Sequence, residues 1–350
     1  MPGITEWMRE DWNRRAREDA RYYVACGGRG QNEAEFQATA SDVVSALEWE
    51  LGHFGPGRDK AQLRALEIGC GPGRLMLPLS RHFREIHGVD VSDEMIRLAR
   101  ERLSGTPNAR VQANDGLGLG AFEDGSFDFV YSFAVFQHIP EREVVFQYLR
   151  EAHRVLKMGG LLRCQINGLP AAGAPSDTWA GVRIGAEEVK SFALDRDFQL
   201  LALEGAGTQY MWVTMRKQTR GWHAGLSLRP PPERVAIQRI TNALSNEPFA
   251  ASRGRFALVS LRVERLPGEC DVLHLKVSIG GLRARLSRIG PPERDGLRQL
   301  IVLLPEGISA GLHPVELTWF DRPLCGEAWL RVVPPGPDGS SEGCNAMHLI

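Results

Sequence analysis

The stretch Ala65-Leu66-Glu67-Ile68-Gly69-Cys70-Gly71-Pro72-Gly73-Arg74-Leu75 puts three glycines in five positions directly after an apolar run. The run Leu63 to Ile68 predicts a buried strand. Leu75 to Phe83 predicts a helix, with Pro78 tolerable near its first turn. A strand that enters a Gly-rich turn and then a helix brings backbone N–H groups and the positive end of the helix dipole to the carboxyl edge of a sheet. Polar or anionic ligand groups bind at such an edge. The alternative is that the glycines only make a tight connection.

The residues that follow repeat the unit. "EIHGVDVSDEMIRLARERL" reads as a strand closing on Asp90, with Ser92 as N-cap of the next helix. "ARVQAND" and "FDFVYSFAVF" are further strands. Val144, Val145, Tyr148, Leu149, Ala152, Val155 and Leu156 mark one face of a helix that Gly159-Gly160 is expected to cap. "LLRCQIN" is the next strand, "AEEVKSFALDRDF" a helix, and "QLLALEGAG" with "TQYMWVTMRK" predict an antiparallel pair. Alternating strands and helices predict an α/β doubly wound sheet ending near 217. Before it, Phe36, Val43, Val44, Leu47, Leu51 and Phe54 predict one amphipathic helix, stopped by Gly55-Pro56-Gly57. After it comes Pro230-Pro231-Pro232 and then alternating strands with turn residues about every ten positions, an all-β, immunoglobulin-like sandwich. The expected divisions are an N-terminal helical lid (1–55), the doubly wound domain (56–220), the sandwich (233–335) and a flexible tail (336–350). The doubly wound sheet is complete before the prolines, so residues 1 to about 220 are expected to fold alone.

Charge and cysteine usage narrow the range of partners without excluding nucleic acid. Lys and Arg (42) nearly cancel Asp and Glu (43), so no global field draws in nucleic acid. The charged N-terminus has no apolar stretch of signal-peptide length, and runs such as "LIVLL" are too short to span a bilayer; a cytoplasmic location with no membrane span is expected. Cys26, Cys70, Cys164, Cys270, Cys325 and Cys344 show no Cys-x-x-Cys pair and no zinc-type histidine spacing. They read as free thiols, and no metal is expected.

A dinucleotide fingerprint, G-x-G-x-x-G, is not met: its last position is Arg74 counting from Gly69 and Met76 counting from Gly71. The pattern Glu67-x-Gly69-x-Gly71-x-Gly73 resembles motif I of class I S-adenosylmethionine-dependent methyltransferases. Over about residues 64 to 165 the chain is similar to their small-molecule, type 11-like branch. The resemblance implies S-adenosyl-L-methionine as cofactor and methyl transfer by in-line displacement. It implies that Asp90, 17 positions after Gly73, accepts the ribose hydroxyls, and that Asp115 in "AND" holds the adenine amino group with Asn114 and Gly116 beside it. Ser132, at the end of the fourth strand, joins the cofactor set.

His138, in "FAVFQHIP", is the candidate for acid-base or acceptor-orienting work, because imidazole titrates near neutral pH; a capping or packing histidine is the alternative. Trp7, Trp12, Tyr22 and Tyr23 fit a lid over the site or ordinary helix packing. Trp179 and Arg183 lie on a Gly/Pro/Ala-rich segment suited to meeting an acceptor. After the fourth strand Ser132-Phe133-Ala134-Val135 replaces the Asn/Asp-Pro-Pro-aromatic grip of amino-directed nucleic-acid methyltransferases. A small-molecule or lipid-intermediate acceptor and no nucleic acid are therefore expected. A reading of another class is a cofactor-binding or inactive protein whose sandwich, loosely resembling IPT/TIG modules, meets a protein or glycan or makes a dimer.

Overall fold

The computed structural model describes residues 3–25, 27–170, 178–229, 235–326 and 328–335. Pro230-Pro231-Pro232, the tail 336–350, Cys26, Cys344 and part of the expected acceptor segment lie outside the described residues.

The chain begins with α1 (Ile4–Ala25), kinked at Asp19, where the helical backbone is interrupted. The Asp19 carboxylate accepts the N–H of Tyr22 (3.0 Å) and so caps the second half of the helix. Two helices then replace the single one expected: α2 (Glu33–Ala38) and α3 (Ser41–Glu50), with a 3-10 turn over Leu51–Phe54. Asn32 and Glu35 close a capping box on α2. The break at Thr39 frees its carbonyl and hydroxyl to accept from Arg74 (3.0 and 2.7 Å), a partner 35 residues away that periodicity cannot register.

The α/β part follows as β1 (Arg64–Ile68), α4 (Met76–Leu79), β2 (Glu85–Asp90), α5 (Asp93–Arg102), β3 (Ala109–Ala113), β4 (Phe127–Ser132), α6 (Arg142–Val155), β5 (Leu156–Ile166), α7 (Ala186–Asp195), β6 (Phe198–Glu204) and β7 (Met211–Lys217). The strand order is β3-β2-β1-β4-β5-β7-β6, with β7 antiparallel to both of its neighbours. Apolar clusters cover both faces of this sheet. Gly159-Gly160 does not cap α6, which ends at Val155; both glycines lie inside β5. They form a bulge there: Phe127 pairs with Leu156, but Phe129 pairs with Leu161. A Cβ on Gly160 would meet the Asp128 carbonyl at 3.0 Å, so the neighbouring strand itself demands glycine.

After α8 (Trp222–Leu226) the described chain is almost entirely strand: β8 (Ala236–Asn242), β9 (Phe249–Ala251), β10 (Leu258–Glu264), β11 (Leu275–Ile279), β12 (Leu282–Pro292), β13 (Leu297–Leu303), β14 (Gly311–Trp319), β15 (Arg322–Pro323) and β16 (Ala328–Val333). One layer runs β8-β10-β13-β12 and the other β11-β14-β16-β9, around a common core that includes Val259, Leu261, Val277, Leu300, Val315 and Leu330. The long strand β12 pairs with β11 through its first residues and with β13 through the rest, and bridges Arg288 to Ala202 of β6. The β unit is thus hydrogen-bonded to the α/β sheet. Cys70, Cys164, Cys270 and Cys325 are free.

The seam between the two parts buries charge. Arg288 donates to Glu50 (2.5 Å) and Glu204 (2.9 Å), and Arg163 donates to Glu204 (2.9 Å) and lies 3.5 Å from Glu50. Burial alone would raise the Glu204 carboxyl, but Arg288 and Arg163 outweigh it and hold it below the usual range. His53 lies 3.4 Å from Glu50, yet burial and then Arg216, Arg298, Arg288 and Arg163 push its imidazole well down. That contact is therefore not an ion pair, and Glu50 Oε2 makes no hydrogen bond to the ring. A Cβ on Gly52 would sit 2.9 Å from Pro291, which measures how closely the two parts meet.

Candidate functional site

Sheet order reverses between β1 and β4, and in open α/β sheets a crevice forms there, outside the carboxyl ends of the strands. Here that crevice is lined by residues of α1, β1, the glycine turn, the end of β2 and the segment after β4. Its floor is the glycine turn. Gly69, Gly71 and Gly73 have φ of +72°, +50° and +78°, the left-handed region that side chains with a Cβ avoid. Something different crowds each of them. A Cβ on Gly69 would run into Val135 at 2.3 Å, one on Gly71 would meet Val24 of α1 at 3.3 Å, and one on Gly73 would press on Leu103 at 3.0 Å. Gly69 and Gly71 line the cleft, whereas Gly73 packs the turn against the end of α5.

Two carboxylates face this turn. Asp90 accepts the N–H of Gly71 through one oxygen and that of Ser92 through the other, both at 2.9 Å. Burial outweighs these hydrogen bonds and raises its carboxyl to about 6. Glu67 is buried on β1 and accepts the Tyr131 hydroxyl at 3.0 Å. Burial raises its carboxyl to about 8, against the pull of Tyr131 and Arg74. Cys70 lies beside them; burial, Asp90 and Glu67 push its thiol well up, which leaves it protonated and unsuited to nucleophilic work.

At the end of β3, Asn114 lines the cleft. Its Nδ2 donates to the Tyr148 hydroxyl (2.8 Å) and the Gly118 carbonyl (3.1 Å), while its buried Oδ1 has no hydrogen-bond partner. Gly116 also lines the cleft. Asp115 does not: it is exposed, and its carboxylate accepts the N–H of Leu117 in its own turn. Ser132 is buried at the end of β4, donates to the Ile68 carbonyl (2.9 Å) and ties β4 to β1 below the cleft. Next come Phe133, Ala134 and Val135, all lining residues, with Ala134 at φ +56°. An alanine in that region costs about 1 kcal/mol or more. His138 follows, buried in a 3-10 turn. Its Nδ1 donates to the Trp179 carbonyl (2.8 Å), which puts the ring lone pair on Nε2, 3.3 Å from the Gln137 amide nitrogen.

The N-terminal helix closes the top. Met8, Trp12, Tyr23 and Val24 of α1 line the cleft, and Arg9 donates to the Asn114 carbonyl at 3.0 Å. Asn13 Oδ1 accepts from the Ser92 hydroxyl (2.8 Å) and the Glu94 N–H (3.0 Å), pinning α1 to the start of α5. Arg15 is buried with Asp11 at 2.8 Å, and its guanidinium lies 4.8 to 5.4 Å from the ring centres of Trp12, Tyr23 and Trp179. Trp7 and Tyr22 are not among the lining residues. Arg183 is exposed and donates to the Pro170 carbonyl at 3.2 Å.

Glu67, Gly69, Gly71, Asp90, Asn114, Gly116 and His138 therefore share one cavity; Gly73 and Ser132 support it, and Asp115 stands outside. Sequence reasoning missed Tyr148, Met8 and Arg15. Tyr148 lies on an apolar helical face where it reads as core, and only its contact with Asn114 sets it apart.

Residues 66–164 match the family model described as "Methyltransferase domain", which is less than a third of the chain. A demethylmenaquinone methyltransferase of Staphylococcus aureus is 32% identical over 105 residues, 29% of this chain and 42% of that protein. A phosphoethanolamine N-methyltransferase of Caenorhabditis elegans is 37% identical over 113 residues, 31% of this chain and 24% of that protein. This chain thus spans less than half the length of either relative. Among solved structures, the magnesium protoporphyrin IX methyltransferase of Synechocystis with bound SAM is 15% identical with a TM-score of 0.47, covering 62% of this chain and 99% of that one. The geranyl diphosphate C-methyltransferase of Streptomyces coelicolor is also 15% identical, with a TM-score of 0.44 and the same two coverages.

Proposed function

We propose that this protein is an S-adenosylmethionine-dependent methyltransferase acting on a small-molecule or lipid-intermediate acceptor. The observation that carries the reading is the shared cavity, at the point where strand order reverses, of the left-handed glycine turn, Asp90, Asn114 and His138. The match of residues 66–164 to the methyltransferase domain supports it.

The donor set suits the cofactor. Asp90 presents carboxylate oxygens suited to a ribose diol, and each retains acceptor capacity beyond its one backbone N–H. The unpartnered Asn114 Oδ1 is the acceptor for an adenine amino group, in place of the exposed Asp115. Gly69 and Gly71 allow the backbone to approach the amino-acid end. When bound, S-adenosylmethionine supplies a methyl carbon activated by its sulfonium charge. The protein contributes alignment and a dry chamber, with α1 as its cover. His138 Nε2 removes a proton from an acceptor that arrives protonated, and the bond from Nδ1 to the Trp179 carbonyl holds the ring in that tautomer. Met8, Trp12, Phe133, Val135 and Ile139 make the remaining wall apolar, which favours a flat or lipid-like acceptor over a charged polymer.

The partner reading has one feature in its favour. Phe249, Leu312 and Trp329 are exposed on neighbouring strands β9, β14 and β16 of the β unit. We assign that face, on an immunoglobulin-like module, as the surface for a second copy or a protein partner; light scattering of wild type and Trp329→Ser checks it.

Calorimetry of the full chain with S-adenosylmethionine and its demethylated product tests the assignment. Binding of both, with the product at least as tight, is expected; no binding of either overturns it. With an acceptor found by mass spectrometry of methylated metabolites, His138→Ala should lower kcat by about 10²-fold at nearly unchanged cofactor affinity. Equal turnover in a folded variant leaves proximity as the whole mechanism.

A further inference from the structure

Away from the cleft, His223, Asp271 and His274 converge at the seam, with one ligand atom of each within 4.8 Å of the others. His223 stands on α8, after the last strand of the α/β sheet, and His274 just before β11 of the β unit. The segment between β10 and β11 that carries Asp271 is docked on β6: Val272 N–H donates to the Leu200 carbonyl (2.9 Å), and the Gln199 amide donates to the Cys270 carbonyl (2.9 Å).

The polarity of the cluster is what needs explaining. His223 Nε2 donates to the Phe198 carbonyl at 3.0 Å, so in the neutral ring the lone pair is on Nδ1. That Nδ1 is 3.9 Å from Asp271 Oδ2, and both atoms are buried without any hydrogen-bond partner. Asp271 is fully buried, and its other oxygen already accepts the N–H (2.9 Å) and ring Nδ1–H (2.8 Å) of His274. Two acceptors thus face each other in the interior at a distance too long for a shared proton. A cation satisfies both: tetrahedral ligands at about 2.0 Å from an ion stand about 3.3 Å apart, so the pair closes by about 0.6 Å to hold one.

We propose that His223, Asp271 and His274 bind a divalent transition ion of the zinc class, which staples α8 to the β unit. Two imidazoles and one carboxylate suit zinc, whereas magnesium and calcium prefer oxygen cages. If His274 ligates through Nδ1, the ring takes the other tautomer, its proton moving to Nε2 by exchange with solvent, and the bond to Asp271 is exchanged for one to the metal. The histidine side chains are mostly buried, 12% and 19% exposed, and water supplies the further ligand. None of the three residues lines the cleft, so the ion is structural.

The test uses the full chain treated with chelator and then titrated with zinc chloride by calorimetry, and with cobalt chloride by visible absorption. We expect about one equivalent bound, tetrahedral cobalt bands, a Tm raised by about 3 °C or more with zinc, and no rise with magnesium chloride. His223→Gln and His274→Gln, checked for unchanged circular dichroism, should each weaken zinc at least about tenfold. Failure of zinc to bind or to raise Tm overturns the proposal. So does binding of undiminished affinity in both variants, which assigns the ion to other histidines.

Discussion

The cleft and the seam both bury carboxylates, yet they treat them in opposite ways. At the cleft, Glu67 and Asp90 have, among the described residues, only hydroxyl and backbone N–H donors in hydrogen-bond contact, and burial lifts them to about 8 and about 6. At the seam, Glu204 has two arginines in contact and is held low, and Glu50 lies between the same two arginines. A buried carboxylate with a full cation complement holds elements in one arrangement, because removing either partner strands the other in low dielectric. One without that complement keeps unsatisfied capacity, which a ligand can use. The two regions therefore divide the labour: the seam holds the sheet and the β unit together, and the cleft stays chemically open.

The contrast breaks hardest at Arg288. Arg288→Met should cost about 3 kcal/mol in a urea titration, since Glu50 stays buried and Glu204 mostly so with half their cations gone. The expectation that residues 1 to about 220 fold alone meets the same difficulty, because that chain lacks Arg288 and the cover of β12. It should be less stable than the full protein by a similar or larger amount. A truncated chain as stable as the whole would make the seam dispensable.

Next in size is Asp90→Ala, expected to weaken S-adenosylmethionine binding by about 2–3 kcal/mol through loss of charge-assisted hydrogen bonds. Unchanged calorimetric affinity in the folded variant would remove Asp90 from the cofactor site.

Glu67 sharpens the comparison through pH. Its folded-state value of about 8 exceeds the ordinary 4.5, so the folded state binds the proton more tightly than the unfolded one. That contribution to stability is complete below about pH 4.5 and is lost as pH rises through about 8, at up to about 1.4 kcal/mol per pH unit. Asp90 acts with the same sign up to about pH 6. Glu67→Gln should flatten the decline between pH 6 and 8 when unfolding is followed in parallel with wild type; an identical slope would show that Glu67 is ionised in the fold. The smallest effect belongs to the cover. Trp12→Ala removes one ring of the cluster around Arg15 and should weaken cofactor binding about three- to tenfold, as the loss of one aromatic contact allows.

Local pattern carried much of the fold. The alternation of strands and amphipathic helices, the N-cap at Ser92 and the antiparallel closing pair are short-range signals, since period and capping act over a few residues. The same signals misread Gly159-Gly160, because a helix cap and a bulge both want glycine, and the choice depended on Asp128 in the neighbouring strand. One helix became two for a similar reason, the distant Arg74 at Thr39. Within the site, the glycine turn and Asp90 were legible as a motif; the adenine role was expected at Asp115, whereas Asn114 is the residue that lines the cleft. Adjacent residues at a strand end point in different directions, and only the turn that follows decides which one enters the cleft. The His223, Asp271 and His274 cluster escaped ligand-spacing arithmetic because its first member comes from another part of the chain.

What the sequence by itself determined is therefore whatever rests on neighbours along the chain: the strand and glycine turn from 63 on, with a helix that proves shorter than expected, Met76–Leu79 and then a 3-10 turn, the acidic end of β2, and the change to an all-β regime past the prolines. The tertiary structure alone decided that α1 lies over the cleft, that β12 joins the α/β sheet, and that Glu50, Arg163, Glu204 and Arg288 meet with little solvent between them. The physical reason is desolvation. A charge or a lone pair acquires its character from what surrounds it in three dimensions, and residues up to 238 apart supply those surroundings here.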